Sequence, residues 1–332
     1  MITTGYNFTV HCPASTAPPC SVRALHPAVR VMLYMASTAV ILFTVCGNLL
    51  VIISVCLFKQ LHKPTNILIL SLAFSDIFVG LFVMSLHSVW MIESYWIFGA
   101  AVCVFQNFVS FQLTCVSVQN VALLALDRYL ALNNPFFYIE KVTLNVSFVV
   151  ASLSWLFSLL YNFGLLYSNG FLTVTPPSAE EDFITLNEIW SIADIIIVFV
   201  IPCGIMIALY FRIFAIAKRH ASEIRKVNRV MRPEAKNQNR KSERKAAKAI
   251  GILVFVFLLC LLPYYISTFL SGAINAETLM VLLDCTSSLF YLNSFFNPII
   301  YALFYPWFQK SMKLIITFRV CSMGSSLFKI LL

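Results

Sequence analysis

Seven long apolar runs constrain this chain more than any other feature. They cover residues 31–58, 66–92, 97–126, 142–167, 189–211, 249–274 and 279–304. Each run is long enough to cross a bilayer as a helix, which takes about 20 mostly apolar residues. Charged residues make up only 11% of the chain, against about 25% in soluble domains. The sequence therefore predicts an all-α bundle of seven transmembrane helices.

Basic residues give this bundle an orientation. The connection 218–248 holds 12 of the 23 Lys and Arg residues, whereas 93–102, 168–188 and 275–278 hold none. Since short basic loops stay in the cytoplasm, we predict an extracellular segment 1–30, a seven-helix domain 31–305 with cytoplasmic loop 218–248, and a cytoplasmic tail 306–332. The chain would lie in the plasma membrane with its amino terminus outside. Asn7 then becomes a glycosylation acceptor.

The end of the seventh run carries polar groups that are costly in a membrane. Residues 293–308 read NSFFNPIIYALFYPWF, and polar side chains at membrane depth usually serve function. After Pro306, bulky apolar residues alternate with Lys310 and Lys313. This alternation predicts a short amphipathic helix on the inner membrane surface.

Sequence landmarks in order along the runs resemble those of rhodopsin-like G-protein-coupled receptors over essentially the whole chain. They are Gly47-Asn48, Ser71 to Asp76, Asp127-Arg128-Tyr129, Trp155, Pro202, Tyr210, Pro263 and Asn297-Pro298-Ile299-Ile300-Tyr301. Within that family, residues 293–308 are similar to the helix 7 signature of trace amine-associated receptors. In having Ser110 in place of the helix 3 acid and an acid, Asp194, in helix 5, the chain resembles a subset of fish trace amine receptors.

The resemblance implies an activation apparatus at the inner face. Arg128 would be held at rest by Asp127 and by Glu243 at the inner start of helix 6, and released when helix 6 swings outward. The other residues implied in G-protein coupling and activation are Tyr129, Tyr210, Phe257, Asn297, Pro298 and Tyr301. The alternative is a solvated ion pair at the membrane edge, worth about 0 to 1 kcal/mol.

Asp76 lies deep in the second run, where a carboxylate must be paired, protonated or bound to a cation. The resemblance places Ser117, Asn293, Ser294 and Asn297 around it. A sodium ion suits these hard oxygen ligands. A neutral Asp76 in a hydrogen-bonded polar network explains the same residues.

The helix 3 position that usually binds the ammonium in related amine receptors lies seven residues after the helix 3 cysteine. Here that cysteine is Cys103, and the position is Ser110. Asp194, eight residues before Pro202 in an otherwise apolar stretch, is therefore the candidate ammonium anchor. The alternative is that its carboxylate snorkels to the outer solvent, where it would do little. Asp284, near the outer end of the seventh run, could pair with a second amine of a diamine or could simply be solvated.

Aromatic faces should assist such an anchor, because cation–π contacts contribute about 0.5 to 2 kcal/mol. The family register places four aromatic residues and two hydroxyl residues at the ligand site: Phe111, Tyr264, Tyr265, Tyr291, Ser110 and Thr114. For any one tyrosine, core packing is the competing interpretation.

Two departures from the family pattern bear on these predictions. Leu261 stands where the family usually has a helix 6 tryptophan. The second outer loop contains no cysteine, so Cys103 lacks its usual disulfide partner. Cys12 or Cys20 could replace that partner, or the two could pair with each other.

Together these features predict a cell-surface receptor, not an enzyme, for a small cationic amine such as a trace amine or a di- or polyamine. The resemblance implies coupling to a stimulatory heterotrimeric G protein and cyclic AMP, and a chemosensory, olfactory role. No cofactor is expected beyond the allosteric sodium ion considered above at Asp76. Membrane lipids are partners; nucleic acid is not, because the formal charge of +9 lies mostly in one loop. A non-amine ligand and a seven-helix ion transporter are the alternatives.

Overall fold

The structure is a computed structural model. It describes residues 9–11, 25–94, 96–169, 183–185, 188–227, 234–270 and 273–317. Asn7, Cys12 and Cys20 lie outside these residues, so the predicted glycosylation and disulfide partners remain predictions. The side chain of Glu243, within a described helix, is likewise outside the description.

Helices account for nearly all of the described chain and form a bundle. Those of the first half are α1 (Pro27–Leu57), α2 (Pro64–Phe78), α3 (Ser85–Glu93), α4 (Gly99–Asn133), α5 (Pro135–Lys141) and α6 (Leu144–Ser168). Those of the second half are α7 (Glu188–Asp194), α8 (Ile201–Val227), α9 (Glu234–Phe269), α10 (Ala276–Tyr291), α11 (Asn293–Phe304) and α12 (Pro306–Ile316). A single 3₁₀ turn, Lys59–Leu61, follows α1.

Seven membrane spans arise from these helices. Spans 1, 3, 4 and 6 are α1, α4, α6 and α9. Span 2 joins α2 to α3 through the π-helical segment Val79–Met84, span 5 joins α7 to α8 through the π-helical segment Ile195–Val200, and span 7 consists of α10 and α11. By length and composition, six stretches of the described chain could cross a membrane. The seventh falls short because it is divided at Leu292. The predicted seven-helix all-α bundle is confirmed.

Interruptions of three spans were not predicted. The apolar runs gave no sign of broken helices, yet span 7 divides at Leu292 and spans 2 and 5 each contain a π-helical segment. Such segments are frequent at functional sites because the extra residue changes which side chains face the interior. In span 5 the π segment begins directly after Asp194.

Helix ends follow local chemistry. Proline stands at the first position of α1, α2, α5 and α12, where its missing N–H would have no partner anyway. Asn134, Thr143 and Asn275 cap α5, α6 and α10 through their side-chain oxygens.

The short helix α12 after span 7 has one buried and one exposed side. Its residues Phe308 and Ser311 are buried while Lys310 and Lys313 are exposed. The predicted amphipathic helix after span 7 is therefore confirmed.

A short antiparallel strand pair joins two outer segments of the chain. Strand β1 (Thr9–His11) pairs with β2 (Phe183–Thr185), with Val10 opposite Ile184. This contact ties the amino-terminal segment to the connection between spans 4 and 5. Three-residue strands give no periodic signal, which is why the sequence did not predict them.

Gly47 permits a close approach of span 1 to span 7. A Cβ atom at this position would lie 2.8 Å from Cγ of Pro298, and the proline ring cannot move aside. We predict that Gly47→Ala lowers the free energy of unfolding by about 1 to 3 kcal/mol, the usual cost of overpacking, and therefore lowers the melting temperature. Gly204→Ala is the matched control, because nothing lies within 4 Å of its added methyl group. Thermal unfolding in detergent should separate the variants, and equal melting temperatures would contradict this packing.

Candidate functional site

Asp194 is the most deeply buried carboxylate in the outer half of the described bundle. Only 3% of the residue is exposed, and its Oδ1 atom accepts a hydrogen bond of 3.2 Å from the Tyr161 hydroxyl of span 4. The alternative that this carboxylate snorkels to the outer solvent is wrong. It points into the bundle between spans 4 and 5.

Aromatic residues of spans 4, 5 and 6 lie near this carboxylate. Tyr161 stacks on Phe157 with ring centroids 6.2 Å apart, and its other neighbour is Trp190 at 6.5 Å in an edge contact. From span 6, Tyr264 and Tyr265 are near enough to interact electrostatically with Asp194. Asp194 thus lies among aromatic residues, and a carboxylate close to aromatic rings is an arrangement that can hold a cation.

Tyr265 also has a packing role. Its ring stacks on Phe199 with centroids 4.2 Å apart and an interplanar angle of 13°, and the residue is buried in the main core cluster. Tyr264 is half-buried and meets Tyr265 edge-on at 5.4 Å. Packing in the core therefore accounts for the presence of Tyr265, whereas Tyr264 is the better candidate for contact with a ligand.

Spans 3 and 7 meet at a hydrogen bond of 2.9 Å between the hydroxyls of Ser110 and Tyr291. Tyr291 in turn contacts His87 of span 2, with ring centroids 5.2 Å apart. Below this contact, a small cavity is lined by residues that include Thr114, Ser117 and Asn293. Ser110 therefore lies in a layer of uncharged polar groups that continues inward toward Asp76.

Asp76 is fully buried in a polar layer at mid-bundle. Its Oδ2 atom accepts a hydrogen bond of 2.7 Å from Asn297 Nδ2, and Ser294 of span 7 is buried nearby. Ser117 contacts Ser75 at 3.2 Å between hydroxyl oxygens. Within the described chain, three buried oxygens of this layer have no hydrogen-bond partner: Asp76 Oδ1, Asn293 Oδ1 and Asn297 Oδ1. This donor set fits a hard cation such as sodium.

At the inner end of span 3, Asp127 and Arg128 form a buried ion pair. Arg128 Nε donates to Asp127 Oδ2 at 2.9 Å, and the two side chains are 12% and 4% exposed. Thr65 Oγ1 donates to Asp127 Oδ2 at 2.7 Å, and the Tyr138 hydroxyl donates to Oδ1 at 2.8 Å. Arg128 Nη2 also bonds to the oxygens of Thr65 and Tyr138. The alternative of a solvated pair at the membrane edge is wrong.

Tyr138 lies on α5, outside the spans. Burial, and next the nearby Asp127 carboxylate, raise the pKa of its hydroxyl to about 12. The hydroxyl is therefore protonated at any physiological pH and remains a donor to Asp127. This contact fixes the connection between spans 3 and 4 against the inner end of span 3.

Comparison with known proteins identifies the type of bundle. Residues 47–301 match the family model of the seven-transmembrane receptors of the rhodopsin family. The chain belongs to that family. It is therefore a receptor and not an enzyme, and the polar layers described above lie within a receptor bundle.

The relatives narrow the type further. The chain is similar to trace amine-associated receptor 13c of Danio rerio, at 36% identity over 91% of this chain and 90% of the relative. It is also similar to Rattus norvegicus trace amine-associated receptors 7c, at 35% identity over 90% and 86%, and 4, at 34% identity over 96% and 95%. The receptor is thus of the trace amine receptor type.

The receptor brings some of the predicted site residues together and separates others. Tyr264 and Tyr265 lie near Asp194, whereas Ser110 and Tyr291 bond to each other. Phe111 packs against the buried pair Leu165 and Leu166, on which the Asp194 neighbours Tyr161, Trp190 and Tyr264 also pack. Thr114 lines the cavity below Ser110. The predicted ligand residues thus form two groups, one around Asp194 and one around Ser110.

The activation residues also occupy distinct positions. Tyr210 and Tyr301 have buried hydroxyls without hydrogen-bond partners in the described chain, and Tyr129 packs near Tyr210. Phe257 meets Phe290 of span 7 with centroids 6.5 Å apart. Pro298 lies inside α11 against span 1. Arg128 contacts none of these tyrosines by a hydrogen bond in the described chain.

Several site residues were missed from the sequence. Tyr161 and Trp190 near Asp194, and Thr65 and Tyr138 near Arg128, have no motif of their own. Asn48 also bonds to the Ser294 carbonyl at 3.1 Å and so links span 1 to the Asp76 layer. A tyrosine in the predicted outer half of an apolar run was the only signal for Tyr161.

Cys103 is disulfide-bonded. Its partner lies outside the described residues, so the choice between Cys12 and Cys20 stays open. Leu261 stands in span 6 where the family usually has a tryptophan, and it is fully buried in the main core cluster. It fills space there as an aliphatic side chain.

Proposed function

We propose that this protein is a plasma-membrane receptor for a small cationic amine, whose ammonium group binds Asp194. One observation carries the proposal: the Asp194 carboxylate is buried in the bundle, and no Lys, Arg or His of the described chain forms an ion pair with it. A buried carboxylate without a cation is costly, and in a membrane protein it marks a functional site by default. An ammonium guest would supply the missing charge.

The position of Ser110 supports this placement of the guest. The helix 3 residue that usually binds the ammonium is replaced by a serine that bonds to Tyr291 at 2.9 Å. A hydroxyl pair has no net charge with which to hold a cation. The ammonium is therefore drawn toward span 5, where Asp194, Tyr161 and Tyr264 combine a charge with ring faces.

The relatives' names support the chemical class of the guest. Trace amine-associated receptors 13c, 7c and 4 align with at least nine-tenths of this chain. The test is a screen of small amines and uncharged analogues of equal shape, with a cyclic AMP reporter and with agonist binding measured with and without GTP. Amines should activate, and GTP should weaken their binding. Activation by uncharged analogues alone would contradict the proposal.

We further propose that the inner face couples to a stimulatory G protein. The Arg128 pair is held by Asp127, Thr65 and Tyr138 in the described chain, and this arrangement suits a resting state. Release of Arg128 would free it to meet Tyr210 and Tyr301, whose buried hydroxyls are available as partners. Glu243 remains a proposed second partner of Arg128. We propose an extracellular amino terminus as well: if the end of span 3 that carries Arg128 faces the G protein, the start of span 1 lies on the opposite, outer side of the membrane.

A sodium ion in the Asp76 layer is a separate proposal. It rests on the three partnerless oxygens of Asp76, Asn293 and Asn297, which hydrogen bonds alone leave unsatisfied. Sodium chloride should raise the melting temperature of the wild type above that in choline chloride of equal ionic strength. Asp76→Asn should abolish the difference. A wild type that does not respond to sodium would favour the neutral polar network instead.

A further inference from the structure

We propose that Tyr305, at the corner between span 7 and α12, binds Arg128 when this arginine leaves its resting contacts. The Tyr305 hydroxyl would thereby favour the G-protein-coupled state and link α12 to that state. This inference rests on the proposed function, because it requires the release of Arg128, and it gives a role to a residue outside the predicted activation set.

The position of Tyr305 is set by the bend between two helices. Its backbone is extended, with φ −107° and ψ 103°, so that the residue ends α11 and precedes α12. Its N–H donates to the Tyr301 carbonyl at 3.0 Å, and its carbonyl accepts from the N–H groups of Phe308 and Gln309 at 3.0 and 3.2 Å. The Gln309 side chain also donates to the Ala302 carbonyl at 2.7 Å. Tyr305 is therefore bonded to both helices.

The side chain of Tyr305 is buried in the bundle. The residue is 6% exposed, and its ring meets those of Tyr301 and Trp307 edge-on, with centroids 5.7 and 5.8 Å away. A phenyl ring alone would satisfy this packing. The hydroxyl is buried as well, yet it has no hydrogen-bond partner among the described residues. Because a buried polar group without a partner is costly, the hydroxyl indicates a partner that it binds in another state of the receptor.

Arg128 carries the positive charge that could bind this hydroxyl. The two residues are near enough to interact electrostatically, but no hydrogen bond joins them in the described chain. The described hydrogen bonds of the guanidinium go instead to Asp127, Thr65 and Tyr138. A phenol oxygen can accept a hydrogen bond, and a guanidinium only donates. Release of Arg128 would therefore give the Tyr305 hydroxyl the donor that it lacks.

Two further tyrosines lie beside Tyr305 at the inner end of the bundle. Tyr210 of span 5 and Tyr301 of span 7 also have buried hydroxyls without a partner in the part of the chain that the structure describes. Each interacts electrostatically with Tyr305. A contact that is absent in the resting arrangement and forms after release shifts the equilibrium toward the released state. Tyr305 would extend this effect to the corner from which α12 begins.

A thermal comparison tests the contact without any G protein. Tyr305→Phe keeps the ring and removes only the hydroxyl, so its melting temperature in detergent should equal or exceed that of the wild type. In the Asp127→Asn receptor, where Arg128 has lost its ion-pair partner, the same change should lower the melting temperature by about 2 to 4 °C. Packing alone predicts equal shifts in the two receptors, and equal shifts would overturn the inference.

Nucleotide exchange on a purified stimulatory G protein gives the second measurement. The basal exchange of Asp127→Asn should fall about tenfold when Tyr305→Phe is added. This factor corresponds to about 1.4 kcal/mol, close to the lower limit for a hydrogen bond to a charged group. Ser311→Ala is the matched control, because it removes from α12 another buried hydroxyl that has no partner among the described residues. It should leave the exchange rate and the pattern of melting temperatures unchanged.

The failure of this inference and that of the proposed coupling are distinguishable. If none of these receptors drives exchange, coupling to a stimulatory G protein is wrong, and the melting temperatures decide on Tyr305. If Asp127→Asn drives exchange and the added Tyr305→Phe leaves it unchanged, only the role of Tyr305 is wrong. If receptors with Asp127→Asn do not fold, Tyr305→Phe alone decides. Its basal exchange should then fall below that of the wild type and of Ser311→Ala, and equal exchange would overturn the inference.

Discussion

Asp194→Asn should reduce the potency of amine agonists by at least about thirtyfold. Loss of one partner from a buried, hydrogen-bonded charge pair costs about 2 to 5 kcal/mol, and about 1.4 kcal/mol corresponds to a tenfold change. The asparagine side chain nearly matches the aspartate in shape and still accepts from Tyr161. The loss should therefore appear in agonist potency and affinity rather than in folding.

Glu93→Gln is the matched control for this variant. It removes a carboxylate from the outer half of the bundle, where Glu93 is paired with Arg30 at 3.5 Å and accepts from Tyr34 at 2.6 Å. Because the charge of Glu93 is already balanced, this change should leave amine potency unaffected. A uniform loss in both variants would mean that outer charge in general attracts the ligand. Unchanged potency in Asp194→Asn would contradict the anchor.

Asp127→Asn should lower the thermal stability and raise basal signalling together. The variant leaves the Arg128 guanidinium, 12% exposed, without its ion-pair partner. Removal of one partner from a buried pair typically costs about 3 to 5 kcal/mol. It also weakens the contacts of Thr65 and Tyr138 at 2.7 and 2.8 Å that hold the carboxylate in place. A freed Arg128 should favour the G-protein-coupled state.

An exposed ion pair in the same region provides the control. Glu140 and Lys141 are 70% and 60% exposed and lie 2.7 Å apart; such pairs contribute about 0 to 1 kcal/mol. Glu140→Gln should therefore leave both the melting temperature and basal nucleotide exchange near wild type. If Asp127→Asn behaves like Glu140→Gln in both measurements, the Arg128 network does not hold the resting state.

Much of the fold could be predicted because the bilayer imposes length and polarity on each span. The seven spans and the amphipathic character of α12 can be predicted from the order of apolar and charged residues in the sequence alone. The division of span 7 at Leu292 and the π segments after Phe78 and Asp194 could not be predicted. A π-helical segment has about one more residue per turn than an α-helix. Within a run that is apolar throughout, this difference leaves no change in the pattern of hydrophobic residues that could reveal it.

The candidate site was predictable where a charged residue is costly. Asp194 stands out as an acid within an apolar run, and its burial at 3% exposure agrees with that reasoning. Its partner Tyr161 was missed because a tyrosine in a membrane span is chemically ordinary. The bond between Ser110 and Tyr291 was missed because it depends on how two distant spans pack. Pairwise geometry of this kind is absent from a single sequence.

The same distinction applies at the inner face. The Asp127-Arg128 pair could be inferred from adjacent residues, whereas Thr65 and Tyr138 lie on other segments and meet the pair only in the folded bundle. Tyr138 reaches Asp127 because α5 begins at Pro135 directly after span 3. The capping of α5 by Asn134 fixes that geometry.

A structure of the receptor with its most potent amine bound tests the central claim most directly. The ammonium nitrogen should lie about 2.7 to 2.9 Å from a carboxylate oxygen of Asp194, the usual length of a charge-assisted hydrogen bond. The ring faces of Tyr161 and Tyr264 should flank the ligand. An ammonium group found beside Ser110 and Tyr291, with Asp194 still bonded to Tyr161 alone among the described residues, would contradict the account.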